Sequence, residues 1–179
     1  MAIPHDVITE ILCRLDVEDL LRYRCLSKRY CCLIDSPDFI KHHLSHSLKT
    51  DTHLSLILRD SELYSVNFDS LESAKKLKHP LDENDEGNGT EILGSCNGLL
   101  ALLGDYGGEK VALWNPSTRK SQMLPVSEIE FPPYNFSCCQ FITYGLGYDP
   151  NSDDYKFVRM VQFYGQDDIL LILKSKFTA

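Results

Sequence analysis

Apolar residues recur at intervals of three and four through the first 48 positions of the chain, which is the spacing of an amphipathic α-helix. Pro4 suits a helix start, where its missing amide hydrogen costs nothing, and Asp6 suits the positive end of the helix dipole. The pattern therefore predicts that the chain opens with a helix that buries one face. The apolar stripe on that face consists of Val7, Ile8, Ile11, Leu12 and Leu15.

Three more helix starts follow before residue 40. Asp16 is placed to cap a second helix, and a third, short helix begins near Ser27. Ser36 is followed by a proline, so the combination of a capping residue and a proline starts a fourth helix. Residues 1–48 are thus predicted to form a small helical domain. The inner face of its second helix carries Leu20, Leu21 and Cys25.

From about position 52 the pattern changes to short runs of β-forming residues between turn residues. Asn97-Gly98 is a strong hairpin signal, because both positions of its tight turn need a positive φ. Strands without intervening helices predict a meander of antiparallel sheets, and groups of three or four would give roughly three blade-like sheets, the repeat unit of a propeller. The acidic stretch at 82–87 is predicted to be an exposed loop. The predicted strands span residues 53–59, 62–68, 90–95, 99–103, 110–114, 140–148, 155–163 and 169–173.

The composition narrows the class of protein. Apolar residues make up 43% of the 179 positions and charged residues 25%, the balance of a folded chain. The 26 acidic and 18 basic side chains give a net charge of −8, which argues against nucleic acid or an anionic membrane as a partner. No apolar run has the length to span a bilayer, and the first residues do not form a secretory signal. Seven scattered cysteines without a Cys-x-x-Cys spacing favour neither zinc nor disulfides and fit a reducing cytosolic or nuclear setting.

The two halves of the chain differ in charge and in apolar content. Residues 1–48 hold 24 apolar residues and a net charge of −1, whereas the remainder carries −7. A helical unit of this size cannot bury so much apolar surface on itself, since isolated cores below roughly 40–50 residues are marginal. The surplus packs either on the β module or on another protein, and the composition leaves both alternatives open.

Residues 3–28 resemble an F-box, with Ile-Pro at 3–4, Asp-Leu-Leu at 19–21 and Cys-Leu-Ser-Lys at 25–28, and residues 33–40 continue the resemblance to plant members. The resemblance implies a module that docks on the Skp-type adaptor of a Skp–cullin–F-box ubiquitin ligase, and through it on cullin. Three positions depart from the family pattern: Ile3 replaces leucine, Asp16 replaces proline and Tyr30 replaces tryptophan. Tyr30 is the smaller aromatic anchor, and its poorer fit is expected to weaken docking by on the order of 1 kcal/mol.

The β half resembles the F-box-associated domain of plants. Three motifs occur in the order expected of that family: Gly-Ser-Cys-Asn-Gly at 94–98, Leu-Trp-Asn-Pro at 113–116, and Gly-Tyr-Asp-Pro at 147–150 followed by Ser-Asp-Asp-Tyr-Lys at 152–156. The resemblance implies that this half selects a protein substrate. The N-terminal half is especially similar to plant F-box proteins that restrain immune-receptor levels, which makes an immune receptor the narrower expectation for the substrate.

These observations predict an α+β multidomain protein. A small helical F-box at residues 1–48 is followed by an antiparallel all-β, partial propeller-like module at residues 52–179. The resemblance implies a non-catalytic substrate-receptor subunit that recruits a protein for ubiquitination and degradation, in the cytoplasm or nucleus. We expect no cofactor, no metal ion, and no nucleic-acid or membrane partner. The resemblance assigns adaptor binding to an apolar face made of Ile3, Pro4, Val7, Ile8, Ile11, Leu12, Leu15, Leu20, Leu21, Cys25 and Tyr30.

Alternatives follow from the end of the sequence. Associated domains of this kind usually continue for well over a hundred residues beyond the last motif, whereas this sequence ends at Ala179, so we expect an incomplete module. Such a chain could compete for the adaptor without presenting a substrate, or act as an interaction module outside any ligase. An enzyme of unknown chemistry is a more distant alternative, because no nucleophile elbow and no compact set of histidine and carboxylate residues is present.

Two features of the sequence partly resemble ligand-binding motifs. His42 and His46 have the four-residue spacing of half a metal site, but no ligand set accompanies them, which favours a solvated helix end. Gly145 and Gly147 lie in a strand-rich stretch with no following helix to hold a phosphate. A bulge or tight packing is therefore expected at these glycines instead of a nucleotide site.

Overall fold

A computed structural model describes residues 4–82, 89–104, 110–125, 140–164 and 170–178. The described part of the chain begins with four α-helices and continues with ten β-strands, in the order that the hydrophobic pattern predicts. Most of the predicted acidic loop lies outside the described residues. The helices are α1 His5–Leu12, α2 Val17–Arg24, α3 Lys28–Ile34 and α4 Pro37–Thr50.

Side-chain caps fix the starts of the last three helices. The Asp16 carboxylate accepts a hydrogen bond from the Asp19 amide at 2.7 Å. Ser27 caps α3 in the same way, and the Ser36 hydroxyl accepts from the Phe39 amide at 3.3 Å. Each cap satisfies an amide that the first turn of a helix leaves without an internal partner. The predicted caps of the second and fourth helices are confirmed, and so is the predicted start of the third helix near Ser27.

The helices enclose a small apolar core of their own. The helix pairs α2–α3 and α3–α4 are in contact, and polar bonds described below join α1 to α4. Side chains from all four helices meet inside, so each helix buries one face. The buried members are Leu12, Cys13, Leu20, Ile34 and Phe39, and Ile8, Leu15, Tyr30 and Leu33 pack against them.

The strands of the described residues form three separate antiparallel sheets of three, four and three strands. Their orders are β1-β2-β3, β4-β5-β6-β7 and β10-β9-β8, so every pairing joins consecutive strands. The predicted antiparallel meander and its grouping by three or four strands are confirmed. The strands are β1 Ser55–Arg59, β2 Leu63–Asn67, β3 Ala74–Leu77, β4 Glu91–Cys96, β5 Leu99–Gly104, β6 Lys110–Asn115, β7 Lys120–Leu124, β8 Gln140–Asp149, β9 Asp154–Tyr164 and β10 Leu170–Thr178.

The hairpin between β4 and β5 has the predicted tight turn. Asn97 and Gly98 have φ values of 51° and 78°, the left-handed conformation that both positions of such a turn require. The four-stranded sheet then buries both faces of its central strands, because neighbouring residues such as Ala101 and Leu102 are both 0% exposed. Phe157 of β9 joins the core on one of these faces. The buried members are Ala101, Val111, Leu113, Leu124 and Phe157.

The two glycines of β8 do not have the role expected from the sequence. β8 pairs with β9 in unbroken register from Gln140 to Asp149, so there is no bulge in this ladder. A Cβ atom at Gly145 or Gly147 would meet no described atom within 4 Å. The expectation of a bulge or tight packing is therefore wrong, because both glycines lie along an open stretch of strand.

The chain divides into two compact units, Met1–Leu77 and Lys78–Ala179. The first contains the helices and the first sheet, and a 3.0 Å ion pair between Lys75 of β3 and Glu18 of α2 lies within it. The second contains the other two sheets. The domain boundary near residue 50 stays a prediction. No helix in the described part of the chain is long and apolar enough to cross a membrane.

Candidate protein-docking surface

The apolar stripe of α1 is divided between the inside and the outside of the helical unit. Leu12 is 3% exposed, and Ile8 and Leu15 pack against the same core. Val7 and Ile11, one turn apart, are 46% and 54% exposed. We call the surface formed by these two side chains the outer α1 face. It is apolar, and neither side chain belongs to the helical core.

A second exposed apolar group lies at the C-terminal end of α2. Leu20 is buried and Leu21 is half-buried, but Tyr23 is 41% exposed and Leu26 is 67% exposed. Cys25, between them, is also exposed. The predicted inner face of α2 is therefore correct for Leu20 and in part for Leu21, whereas Cys25 is exposed.

An arginine clamp holds α2 against α3. The Nε and Nη2 atoms of Arg24 both donate to one carboxylate oxygen of Asp35, at 2.9 and 2.7 Å. These bonds raise the pKa of the Arg24 guanidinium, which stays charged throughout. The Tyr23 ring packs edge-on against Tyr30, with 6.5 Å between ring centroids. The clamp and the ring pair fix the end of α2 from which Leu26 projects.

Two histidines join α4 to α1. The Cys13 sulfur lies 3.3 Å from Nδ1 of His42, and Nε2 of the same ring lies 3.8 Å from the Glu10 carboxylate. His43 donates from Nε2 to the Leu15 carbonyl oxygen at 2.9 Å. Burial, and then the Glu10 charge, raise the pKa of the Cys13 thiol. The interpretation of this region as a solvated helix end is incomplete, because His42 contacts the end of α1 and His43 bonds to the segment between α1 and α2.

Ten of the eleven predicted adaptor-binding residues are described by the structure, and they divide into three groups by burial. Ile3 lies outside the described residues, and Leu12 and Leu20 belong to the internal core. The exposed members are Pro4, Val7, Ile11 and Cys25, and the half-buried members are Ile8, Leu15, Leu21 and Tyr30. The prediction omitted Tyr23 and Leu26, since their positions do not continue the inner stripe of α2. The feature of the sequence that could have identified them is that each is a large apolar residue at a position outside that stripe.

A turn in the β half accounts for the polar residues of the Gly-Tyr-Asp-Pro motif. The Asp149 carboxylate accepts from the Asn151 amide at 3.0 Å and from the Ser152 hydroxyl at 2.9 Å. These bonds, the Ser152 hydroxyl foremost, hold the pKa of Asp149 below its usual value. Tyr148 donates from its hydroxyl to Asp153 at the other side of the turn. The motif is therefore a self-bonded turn that joins β8 to β9.

A buried histidine lies beside the tryptophan of the Leu-Trp-Asn-Pro motif. His79 is 6% exposed, and its ring meets Trp114 edge-on with 6.4 Å between centroids. Burial lowers the pKa of His79, and the nearby Asp82 charge opposes that change. Trp114 is 2% exposed, so it packs inside the second unit. Within the described residues, no group of three or more His, Cys, Asp or Glu side chains could hold a metal ion.

A helical module with an exposed apolar helix face, followed by blade-like antiparallel sheets of three or four strands, defines the class: an α+β multidomain protein with a β-rich second part. A family model of the F-box domain matches residues 2–42, and a model of the F-box associated beta propeller domain matches residues 54–174. The chain belongs to the family of F-box proteins that carry this associated domain. The predicted resemblance to an F-box and to the plant F-box-associated domain is confirmed, and so is the predicted fold class. The narrower resemblance to F-box proteins that restrain immune-receptor levels stays a prediction.

Known relatives from Arabidopsis thaliana support this assignment. The chain is 46% identical to F-box protein CPR1 over 162 residues, which cover 90% of this chain and 38% of that protein. It is 41% identical to F-box protein At4g22390 over 160 residues, with shares of 89% and 38%. It is 30% identical to F-box/kelch-repeat protein At3g23880 over 173 residues, with shares of 89% and 45%. The chain thus spans less than half the length of these relatives. No solved structure matches it at a significant level.

Proposed function

We propose that this protein is a substrate-receptor subunit of a Skp–cullin–F-box ubiquitin ligase. The helical unit docks on the Skp-type adaptor, and the β domain recruits a protein substrate. The observation that carries the proposal is the outer α1 face, where Val7 and Ile11 are about half exposed in the segment that matches the F-box. Exposed apolar side chains that do not belong to the core of their module indicate a partner surface.

The energetics fit a docking role for this face. Full burial of a valine or isoleucine side chain contributes about 1.5–3 kcal/mol, so covering two half-exposed side chains adds roughly 2 kcal/mol to binding. Tyr23 and Leu26 extend the apolar area available at the end of α2. Leu12 and Leu20, which the sequence assigned to the same face, act indirectly in this proposal because they hold the helices in place from inside.

The proposed role needs no catalytic residue in this chain. A substrate receptor contributes proximity, because it holds substrate lysines near the ubiquitin-charged enzyme that performs the chemistry. The β domain would select that substrate, and an immune receptor is the narrower candidate. A cytoplasmic or nuclear location is part of the proposal, since free cysteines on the helices, including the exposed Cys25, suit a reducing compartment.

The test is adaptor capture with matched surface variants. Val7→Asp combined with Ile11→Asp places two charges on the outer α1 face without entering the core. Leu48→Asp is the matched control, because Leu48 is 57% exposed on α4 and lies outside the F-box match. We expect the double variant to lose binding to a Skp-type adaptor at least about tenfold, whereas the control binds like the wild type. A wild-type chain that fails to bind the adaptor would contradict the proposal.

A second candidate is an interaction protein that works outside any ligase. It is favoured by the internal core of the helical unit, where Leu12 and Leu20 are buried without any partner protein. Adaptor capture separates the two candidates, because only the ligase role requires the wild-type chain to bind. If the wild type binds and both surface variants bind equally well, the outer α1 face is not the docking site.

A further inference from the structure

The turn between α2 and α3 carries exposed apolar side chains. Leu26 lies in this turn and is 67% exposed, and Tyr23 lies at the end of α2 and is 41% exposed. Neither side chain belongs to the buried core of the helical unit. Both lie within residues 2–42, the segment that matches the F-box, so they belong to the same module as the outer α1 face.

Basic residues are concentrated in the same stretch of the chain. Four of the six lysines and arginines in residues 1–48 lie between positions 22 and 29, and the fifteen residues 20–34 contain no aspartate or glutamate. Lys28 and Arg29 follow Leu26 after a single residue, and both are exposed. We call the surface formed by Tyr23, Leu26, Lys28 and Arg29 the α2–α3 corner. It combines apolar area with positive charge, in a chain whose net charge is −8.

Two of the four basic side chains in this stretch have acidic partners, and the other two do not. Arg22 pairs with Asp19 at 2.6 Å, and the arginine clamp engages Arg24 at 2.7 Å. Among the residues that the structure describes, no ion pair includes Lys28 or Arg29. The positive charge of the α2–α3 corner therefore comes from these two side chains and is not compensated within the helical unit.

The positions of Lys28 and Arg29 do not favour the stability of α3. They are the first two residues of this helix, and its first turn contains no acidic side chain. The start of a helix carries partial positive charge, which favours acidic side chains and disfavours basic ones. Two cations that weaken their own helix, beside exposed apolar side chains, are explained if a negatively charged partner binds them.

We propose that the α2–α3 corner binds an acidic segment of the Skp-type adaptor, in which carboxylates flank an apolar side chain. The apolar side chain covers Tyr23 and Leu26, and the carboxylates pair with Lys28 and Arg29. Opposite charges at the rim of an interface mainly raise the association rate and select the partner. The inference rests on the proposed function, because the adaptor is the partner, and it adds a second contact area of defined chemistry to the outer α1 face.

Charge reversal at the corner tests the inference through the rates of adaptor binding, measured by surface plasmon resonance. At about 0.05 M salt we expect Lys28→Glu with Arg29→Glu to lower the association rate constant at least about tenfold. The difference from the wild type should narrow at about 0.5 M salt, because salt screens exposed charges. The thermal unfolding temperature should stay the same or rise, since glutamate suits the start of α3. A role of these side chains in folding alone would not produce this combination.

Two matched variants serve as controls. Lys28→Arg with Arg29→Lys keeps both charges and should bind like the wild type. Lys49→Glu with Lys120→Glu changes the net charge of the chain by the same amount at exposed positions outside the F-box match, and it should also bind like the wild type. If the reversed variant fails to fold, Lys28→Gln with Arg29→Gln decides, and we expect its association rate constant to fall at least about threefold.

The outcomes separate this inference from the proposed function. If the wild-type chain binds the adaptor and the reversed variant binds at the same rates, the acidic contact is overturned while the proposed function stands. A corner covered by a second copy or by another part of the protein would give that result. An equal loss in the charge-matched control would also overturn the inference, because net charge would then account for it. A wild-type chain that does not bind the adaptor overturns both.

Discussion

Gly94 of β4 lies against Leu146 of β8, in the neighbouring sheet: a Cβ atom at Gly94 would stand 3.4 Å from the Cβ of Leu146 and 3.5 Å from its amide nitrogen. The register of β4 with β5 also shifts between Ile92 and Gly94. A single methyl group is just accommodated at that distance, but a branched side chain is not. The glycine that opens the Gly-Ser-Cys-Asn-Gly motif is therefore explained by close packing between two sheets.

Gly94→Val should destabilise the second unit by about 1–3 kcal/mol, because the added methyl groups force the two sheets apart. Gly145→Val is the matched control: Gly145 is also a strand glycine, but no atom of the described residues lies within 4 Å of the position of its Cβ. We expect the control to be neutral or slightly stabilising, since valine favours a strand. Urea unfolding followed by Trp114 fluorescence measures both, and equal effects of the two variants would contradict this explanation.

The local elements could be predicted from the sequence, whereas the packing partners could not. The helix starts at Asp16, Ser27 and Ser36 and the turn at Asn97-Gly98 depend on neighbouring residues, so the pattern alone was sufficient to identify them. β3 and β7 were not predicted, because their short segments Ala-Lys-Lys-Leu and Lys-Ser-Gln-Met-Leu are largely polar. They are strands because a neighbouring strand supplies their hydrogen bonds.

The candidate docking site was predicted only in part. The stripe on α1 was visible as one apolar face, but its division into buried and exposed halves depends on where the other helices pack. Cys13 did not belong to the predicted stripe, yet it is 1% exposed and contacts His42. Contacts between residues 29 positions apart cannot be read from local spacing, so the pattern identified the helix but not the side that remains free.

The thiol of Cys13 should be slow to react with alkylating reagents. Its sulfur is buried, and burial together with the Glu10 charge raises its pKa, so little thiolate forms near neutral pH. Cys25 and Cys32 are exposed on the same helical unit. Peptide mapping by mass spectrometry after timed treatment with iodoacetamide should show both exposed thiols modified at least about tenfold faster than Cys13. In urea the rates should converge, and equal rates in the native protein would contradict the buried position of Cys13.

The second unit should lose stability in mild acid because of His79. Burial lowers the pKa of His79 in the folded state, so below about pH 6.5 the unfolded chain binds more protons than the folded one. Above that pH, the titration of His79 therefore leaves the free energy of unfolding unchanged. As the pH drops below it, the free energy of unfolding falls. His79→Phe should flatten the acid side of the curve, whereas His5→Gln, at an exposed position of α1, should not.

The measurement for His79 uses the single tryptophan of the chain, Trp114, whose ring contacts His79. Urea midpoints are recorded by its fluorescence across a pH series that brackets about 6.5. A wild-type midpoint that does not fall in acid, or an acid dependence that His79→Phe leaves unchanged, would show that protonation of this ring is not linked to unfolding.

Asp16 stands where proline is usual in F-box segments. The geometry of Asp16 explains why α2 forms without a proline at this position. Its φ of −69° is one that proline also adopts, and its carboxylate caps α2 through the Asp19 amide. Asp16→Ala should cost about 1 kcal/mol, because the amide loses its partner, whereas Asp16→Ser keeps a capping oxygen and should cost little. Asp16→Pro loses the cap but restricts the unfolded chain by about 0.4–1 kcal/mol, so its net effect should be close to zero. Thermal unfolding, followed by the circular dichroism of the helices, ranks the three variants by stability. If Asp16→Pro is as unstable as Asp16→Ala, the preceding residue, Leu15, cannot accommodate the proline ring.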